Sequence, residues 1–219
     1  MFSREDRPGS IPIRLVHQDE FEQWRDAQPE GTRNWVAANH FRAECHKVLL
    51  IPGARGHTES VVLGLGRLSS RDDLSFWHAA ALPDRLPDGA YHLAESMSSH
   101  AASQFALGWA YGQYKFERYR RAAPTRHLQL RVPHGVELAE IERLRGATSL
   151  ARDLINTPAN DMSPETLAQA ALDLGRRYGA RHRIVIGDDL LAQRLPAIHA
   201  VGRAAAVAPR LVDLEWGDP

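Results

Sequence analysis

The chain has 219 residues, 43% hydrophobic and 25% charged, enough for one well-buried core or for one domain and part of another, and far from a disordered composition. Its 27 basic and 27 acidic side chains cancel, so no overall field draws it to nucleic acid or to an anionic membrane. The single cysteine, Cys45, excludes an intrachain disulfide and a cysteine-based zinc site.

The first ten residues, MFSREDRPGS, have no apolar core and do not read as a signal peptide. No apolar run approaches the ~18 residues of a membrane helix, so the expected compartment is the cytoplasm. Pro12 to Val16 alternate weakly, as a first strand. Glu20 to Arg42 mix tryptophans with charges and suggest a helix plus an irregular stretch. Lys47 to Pro52 and Val61 to Gly66 are short continuous apolar runs bounded by Pro or Gly. That pattern predicts interior strands of a mixed sheet covered on both faces. Asp72 to Ala81 reads as one helix, followed by the turn signal Leu86-Pro87-Asp88-Gly89 and a strand at 90–93.

A longer helix is expected from Ser99, with that serine as its N-cap. Gly108 and Gly112 lie one turn apart on it. Alanine at either would stabilise an isolated helix by ~1 kcal/mol, so the pair implies a close neighbour. Leu128 to Val132 alternate as a strand. A linker helix follows from about Val136 to Ile155, and Pro158 stops it. Ser163-Pro164 restarts a helix with serine as cap and proline at the first helical position, and Gly179 ends it. Strands are expected at 183–186 and 210–216, with a short helix opening at Asp188-Asp189.

Candidate chemistry is sparse. There are eleven histidines but no His-Glu-x-x-His, and His40 and His46 have a spacing that fits neither one helix face nor a zinc finger. Gly-x-Ser-x-Gly is absent. Asp72-Asp73 and Asp188-Asp189 read as helix-start residues, not as an acid/base pair. Cys45 beside His46 reads as a buried or inert thiol. Gly64-Leu65-Gly66 lacks the glycines of a phosphate cradle and reads as a plain turn. Lys115, Arg118, Arg120, Arg121 and Arg126, interleaved with Phe116 and Tyr119, read as the basic C-terminal end of the Ser99 helix. Nucleic-acid binding there is the weaker alternative.

The most specific signal is Ala151 to Leu167, ARDLINTPANDMSPETL, followed by Ile198-His199-Ala200-Val201-Gly202-Arg203 and Pro209-Arg210-Leu211-Val212. These segments resemble the cytosolic leucyl aminopeptidases, a di-metal family that releases N-terminal residues from peptides. Phe105 to Phe116, Leu50 to Gly53 and Val61 to Gly66 are similar to upstream segments of its bacterial members. The resemblance implies an N-terminal α/β domain of macro type, a connecting helix and a C-terminal catalytic domain. It also implies a homo-hexamer, peptide substrates, and two divalent ions (zinc, manganese or magnesium). The family's metal and catalytic segments, of the kinds Gly-Lys-Gly…Phe-Asp-Thr-Gly-Gly and Asn-Thr-Asp-Ala-Glu-Gly-Arg, do not occur in this chain. No catalytic, cofactor-binding or metal-binding residue carries over.

The expected fold is therefore α/β: a macro-like mixed sheet with flanking helices over residues 1–135, a linker helix and signature connection over 136–162, and the start of an incomplete catalytic domain over 163–219. The expected function is that of the N-terminal part of a metal-dependent leucyl aminopeptidase, truncated and itself inactive, with no cofactor in this chain and neither membrane nor nucleic acid as partner. The alternative is a free-standing macro-like ligand-binding or regulatory module. In the signature, Asn156, Asn160 and Asp161 are expected to satisfy backbone groups at a rigid joint, with Asp161 not a metal ligand. His199 and Arg203 are expected to give structural support.

Overall fold

A computed structural model describes residues 1–5, 7–120 and 126–217. The chain divides into two compact units, Met1–Ser149 and Leu150–Pro219. The first contains β1 (Phe2–Ser3), β2 (Ile11–His17), α1 (Phe21–Asp26), α2 (Glu30–Ala38), β3 (Val48–Pro52) and β4 (Thr58–Gly66). It continues with α3 (Phe76–Ala80), α4 (Leu82–Arg85), β5 (Gly89–Leu93), α5 (Ser99–Gly112) and β6 (Leu128–Arg131). The helix α6 (Leu138–Asn156) runs on past Ser149.

The six strands form one mixed sheet in the order β1-β6-β5-β2-β4-β3, in which only β3 is antiparallel to its neighbour. β4 is covered on both faces, as its continuous apolar run predicts, and so is β2, whose weak alternation gave no such signal. Ile13, Leu15, Val61, Leu63 and Leu65 pack with Leu82, Phe105 and Trp109 on one side. Val16 and Val62 turn to the other side, onto Phe21, Val36 and Phe41. The sheet edges are β1, only two residues long, and β3, so the 47–52 run expected as an interior strand lies instead at a margin. On β3 the indole of Trp35 donates to the Leu50 carbonyl at 2.9 Å.

Gly64-Leu65-Gly66 forms neither a turn nor a cradle; it lies within and at the end of β4. A Cβ on Gly64 would strike the backbone of Ala43 and Glu44, so the glycine lets the 40–47 loop lie flat against the strand. Three hydrogen bonds hold it there: His46 N–H to Gly64 O at 3.1 Å, Gly64 N–H to Lys47 O at 2.8 Å, and Gly66 N–H to Ala43 O at 2.9 Å.

The predicted helix over 72–81 is broken. A 3-10 turn at Arg71–Asp73 is capped by Ser70, and α3 starts afresh because the Ser75 N–H is taken by His78 Nδ1 at 3.1 Å. The cap of α5 is Ser98, one residue earlier than expected, with the Ala101 N–H donating to its hydroxyl at 3.2 Å. The glycine pair on α5 has the close neighbour its spacing implies. A Cβ on Gly108 would meet the Phe76 carbonyl and one on Gly112 the Ala80 carbonyl.

The second unit holds the last residues of α6, then α7 (Pro164–Arg177), β7 (Arg181–Ile186), α8 (Asp189–Ala192), α9 (Pro196–Gly202) and β8 (Arg210–Glu215). Ser163 caps α7, accepting from the Thr166 N–H at 3.2 Å, and Gly179 ends it at φ +70°. β7 and β8 pair antiparallel, Arg181 opposite Glu215 and Arg183 opposite Asp213. Ala168, Leu172, Val185 and Leu190 are buried. Yet Leu167, Leu174, Tyr178, Leu191, Val201 and Trp216 stay exposed.

Two outcomes are expected. Gly108→Ala or Gly112→Ala should lower stability by about 1–3 kcal/mol, because overpacking against a carbonyl outweighs the gain in helix propensity; an unchanged or raised thermal melt would remove the packing argument. Hydrogen exchange should be faster in 181–186 than in the β3–β4 amides, since a two-stranded sheet with exposed apolar flanks opens locally. Equal protection in a proven monomer would contradict this.

Candidate functional site

In the second unit the signature folds as a joint. α6 ends at Asn156, and the hydroxyl of buried Thr157 donates back to the Asp153 carbonyl at 2.6 Å while its N–H does so at 3.0 Å. The N–H groups of Asp161 and Met162 then close onto the Pro158 carbonyl, both at 2.9 Å. Asn160 and Asp161 are exposed. The side chain that ends α6 is thus Thr157, which sequence reasoning had passed over. Its signal was present: a hydroxyl just before a proline that stops a helix.

The second family-like stretch is also built for packing. His199 Nε2 lies 3.0 Å from Asp188 Oδ1, tying α9 to the residue before α8. Asp188 therefore serves the histidine and forms no side-chain cap. Arg203 is the exposed C-cap residue of α9. Gly202 lies so close to Pro209 that a Cβ would overlap the proline ring. Arg210 is nearly buried and reaches toward Glu165 of α7 at 3.7 Å. An apolar groove of about 460 Å³, lined by Met162, Leu167, Ala171, Arg210 and Val212 among others, opens beside these residues.

In the first unit the basic stretch is not a helix end, since α5 stops at Gly112 with no basic residue in its last turn. Residues 113–120 form neither helix nor strand, and Lys115, Arg118 and Arg126 have local partners. Lys115 pairs with Asp84 at 2.5 Å, and the Arg118 guanidinium lies 5.7 Å from the centre of the Tyr119 ring. Arg126 donates to the carbonyls of Pro83 and Leu86. Arg121 lies outside the described residues. Asp72 accepts from the Ser98 hydroxyl, and the Asp73 carboxylate accepts from the Ser70 N–H at 3.0 Å, so this pair closes a turn. Cys45 is exposed, not buried, but crowding of its sulfur raises the thiol pKa, against a smaller opposing effect of the His46 backbone. Tyr91, buried with its hydroxyl on the Pro87 carbonyl at 2.6 Å, is pushed up to about 12 by burial.

Among the described residues, no group of three or more His, Cys, Asp or Glu side chains converges so as to hold a metal ion. The donors present do not fit a two-metal centre, which needs several ligands around ions ~3.5–4 Å apart. No helix among the described residues is long and apolar enough to cross a membrane.

The family model for the M17 aminopeptidase N-terminal domain matches residues 11–133. The chain belongs to the M17 aminopeptidase family. The model for the catalytic domain of the cytosol aminopeptidase family matches residues 149–219. The cytosol aminopeptidase of Coxiella burnetii is similar in structure, with a TM-score of 0.83 and 33% identity, over 99% of this chain and 46% of that one. The bottromycin maturation enzyme BotP in complex with Mn shares the fold at a TM-score of 0.75 and 23% identity, over 97% of this chain and 46% of its own. A probable cytosol aminopeptidase of Corynebacterium efficiens is 27% identical over 184 residues, 80% of this chain and 37% of that relative. The chain thus spans less than half the length of each of these relatives.

Thr157→Val should cost about 1 kcal/mol, because the Asp153 carbonyl loses its hydroxyl donor. Asn160→Ala should stay within about 0.5 kcal/mol of the parent, as an exposed substitution. Paired thermal melts of the two variants check this; a larger loss at Asn160 than at Thr157 would reverse the assignment.

Proposed function

We propose that this chain provides the N-terminal domain, the linker helix and the opening part of the catalytic domain of a metal-dependent M17 aminopeptidase that releases N-terminal residues from peptides. The observation that carries the reading is the structural likeness over 99% of the chain to the Coxiella burnetii cytosol aminopeptidase at 33% identity. The exposed apolar side chains of α7, β8 and Trp216 support it, since an α/β layer of this kind is normally covered on both faces.

On this reading residues 1–135 are the N-terminal domain, 136–162 the linker and signature joint, and 163–219 part of the catalytic domain. The metal ligands belong to segments other than these, and zinc, manganese or magnesium would be held there. The assembly is a homo-oligomer, a hexamer as the family resemblance implies, acting in the cytoplasm. A free-standing ligand-binding module has less behind it. At the carboxyl ends of the parallel strands, where such folds take ligands, Arg67 pairs with Asp19, Arg71 with Glu20 and Ser98 with Asp72, joining the loops to one another.

The 219-residue chain should give no turnover of leucine p-nitroanilide with manganese or zinc added. Metal-dependent turnover by a homogeneous sample would overturn its inactivity. Joined to the part of the Coxiella burnetii enzyme beyond the matched segment, it should regain metal-dependent turnover. A folded chimera without activity would overturn the assignment to an aminopeptidase.

A further inference from the structure

Two histidines meet in the first unit, His46 exposed on the 40–47 loop and His78 on α3, and a third, His17 at the end of β2, acts on His78. His17 ends β2, is buried, and its Nε2 has no hydrogen-bond partner among the described residues. His78 is buried on α3, with Nδ1 accepting from the Ser75 N–H. Its ring centre lies 5.6 Å from that of His46 on the loop. We propose that this histidine cluster is an acid-sensitive latch: with the His78 ring neutral the 40–47 loop lies on β4, and its protonation in mild acid releases the loop.

The charges around the cluster favour release. His46 and His17 both oppose a proton on His78, and no carboxylate is among the groups acting on it. From α4, the Arg85 guanidinium donates to the His46 carbonyl at 2.8 Å, adding positive charge. On the loop, Lys47 is a further cation, while the Glu44 carboxylate accepts from the Arg42 N–H at 3.1 Å. Beyond His17, Asp19 and Glu20 are paired with Arg67 and Arg71. A proton on His78 therefore finds no carboxylate acting on it.

Burial, the largest effect, lowers the pKa of His78 below its usual 6.5. The released form then takes up the proton more readily, so the latched form is favoured above pH ~6.5 and loses ground as pH falls below it. The loop is already strained: His40, Ala43 and His46 all have positive φ, at 51°, 56° and 66°. That is a left-handed conformation costly for residues with a Cβ. The loop gives way first because few backbone hydrogen bonds hold it to the strand and its His46 ring lies against His78.

The test is amide hydrogen exchange of the full chain at pH 7.5 and 5.5, each corrected for the intrinsic rate. Protection of His46, Gly64 and Gly66 should fall severalfold at the lower pH, while Tyr91 and Leu130 in the β5–β6 pair keep theirs. His78→Asn keeps an acceptor for the Ser75 N–H, and His46→Asn suits positive φ; in each the fall should shrink below about twofold. His134→Asn, exposed outside the cluster, should leave the fall intact. Equal protection of the wild-type loop at both pH values overturns the latch, whether or not the variants fold. So does a fall shared by the β5–β6 amides, or one that persists in both cluster variants.

Discussion

Backbone lies directly on backbone at three places in the first unit, and the packing of both faces of its sheet depends on it. Gly64 admits the Ala43–Glu44 backbone on one face; Gly108 and Gly112 admit the Phe76 and Ala80 carbonyls on the other. Each contact sets how closely a layer can approach. With the 40–47 loop seated, Phe41 and Ala43 fall into the core beneath β4. With α3 seated, Ala79 packs with Phe105 and Trp109 above it. A single added methyl at any of these positions would lift a layer, and close-packed interiors do not absorb such a shift cheaply.

The parts of the fold legible in the sequence are those where one residue type has one physical use. Continuous apolar runs marked β3 and β4 as strands, though only β4 is interior to the sheet; Ser163-Pro164 marked a helix start, and paired glycines marked a close approach on α5. Legibility failed where two residues compete for one job. Ser98 and Ser99 can each cap α5, and only the geometry that joins Ser98 to Asp72 decides. In 72–81 the helical pattern is interrupted by a side chain, His78, that takes the Ser75 N–H. Gly64 looked like a turn because sequence does not disclose a second backbone crossing it from twenty residues earlier.

The candidate site was legible as a family signature but not as a mechanism. The residues of 156–162 and 198–210 that stand out in sequence do so for packing reasons. Thr157 closes a helix, Gly202 makes room for Pro209, and His199 binds Asp188. The basic stretch after α5 misled in the opposite way, because a run of cations looks like a surface feature until their carbonyl and carboxylate partners are seen. Sequence spacing shows which charges are neighbours; it does not show which are already satisfied.

The edges of the six-stranded sheet carry a consequence for growth. A sheet widens when a new strand finds a row of bare N–H and C=O groups. At one margin β1 offers only two residues; at the other, the Trp35 indole occupies the Leu50 carbonyl and Pro52, which has no N–H, closes the strand. Each margin therefore offers an incoming strand fewer partners than a full-length bare edge would. Association through the first unit is thereby shifted from backbone pairing toward side-chain contact.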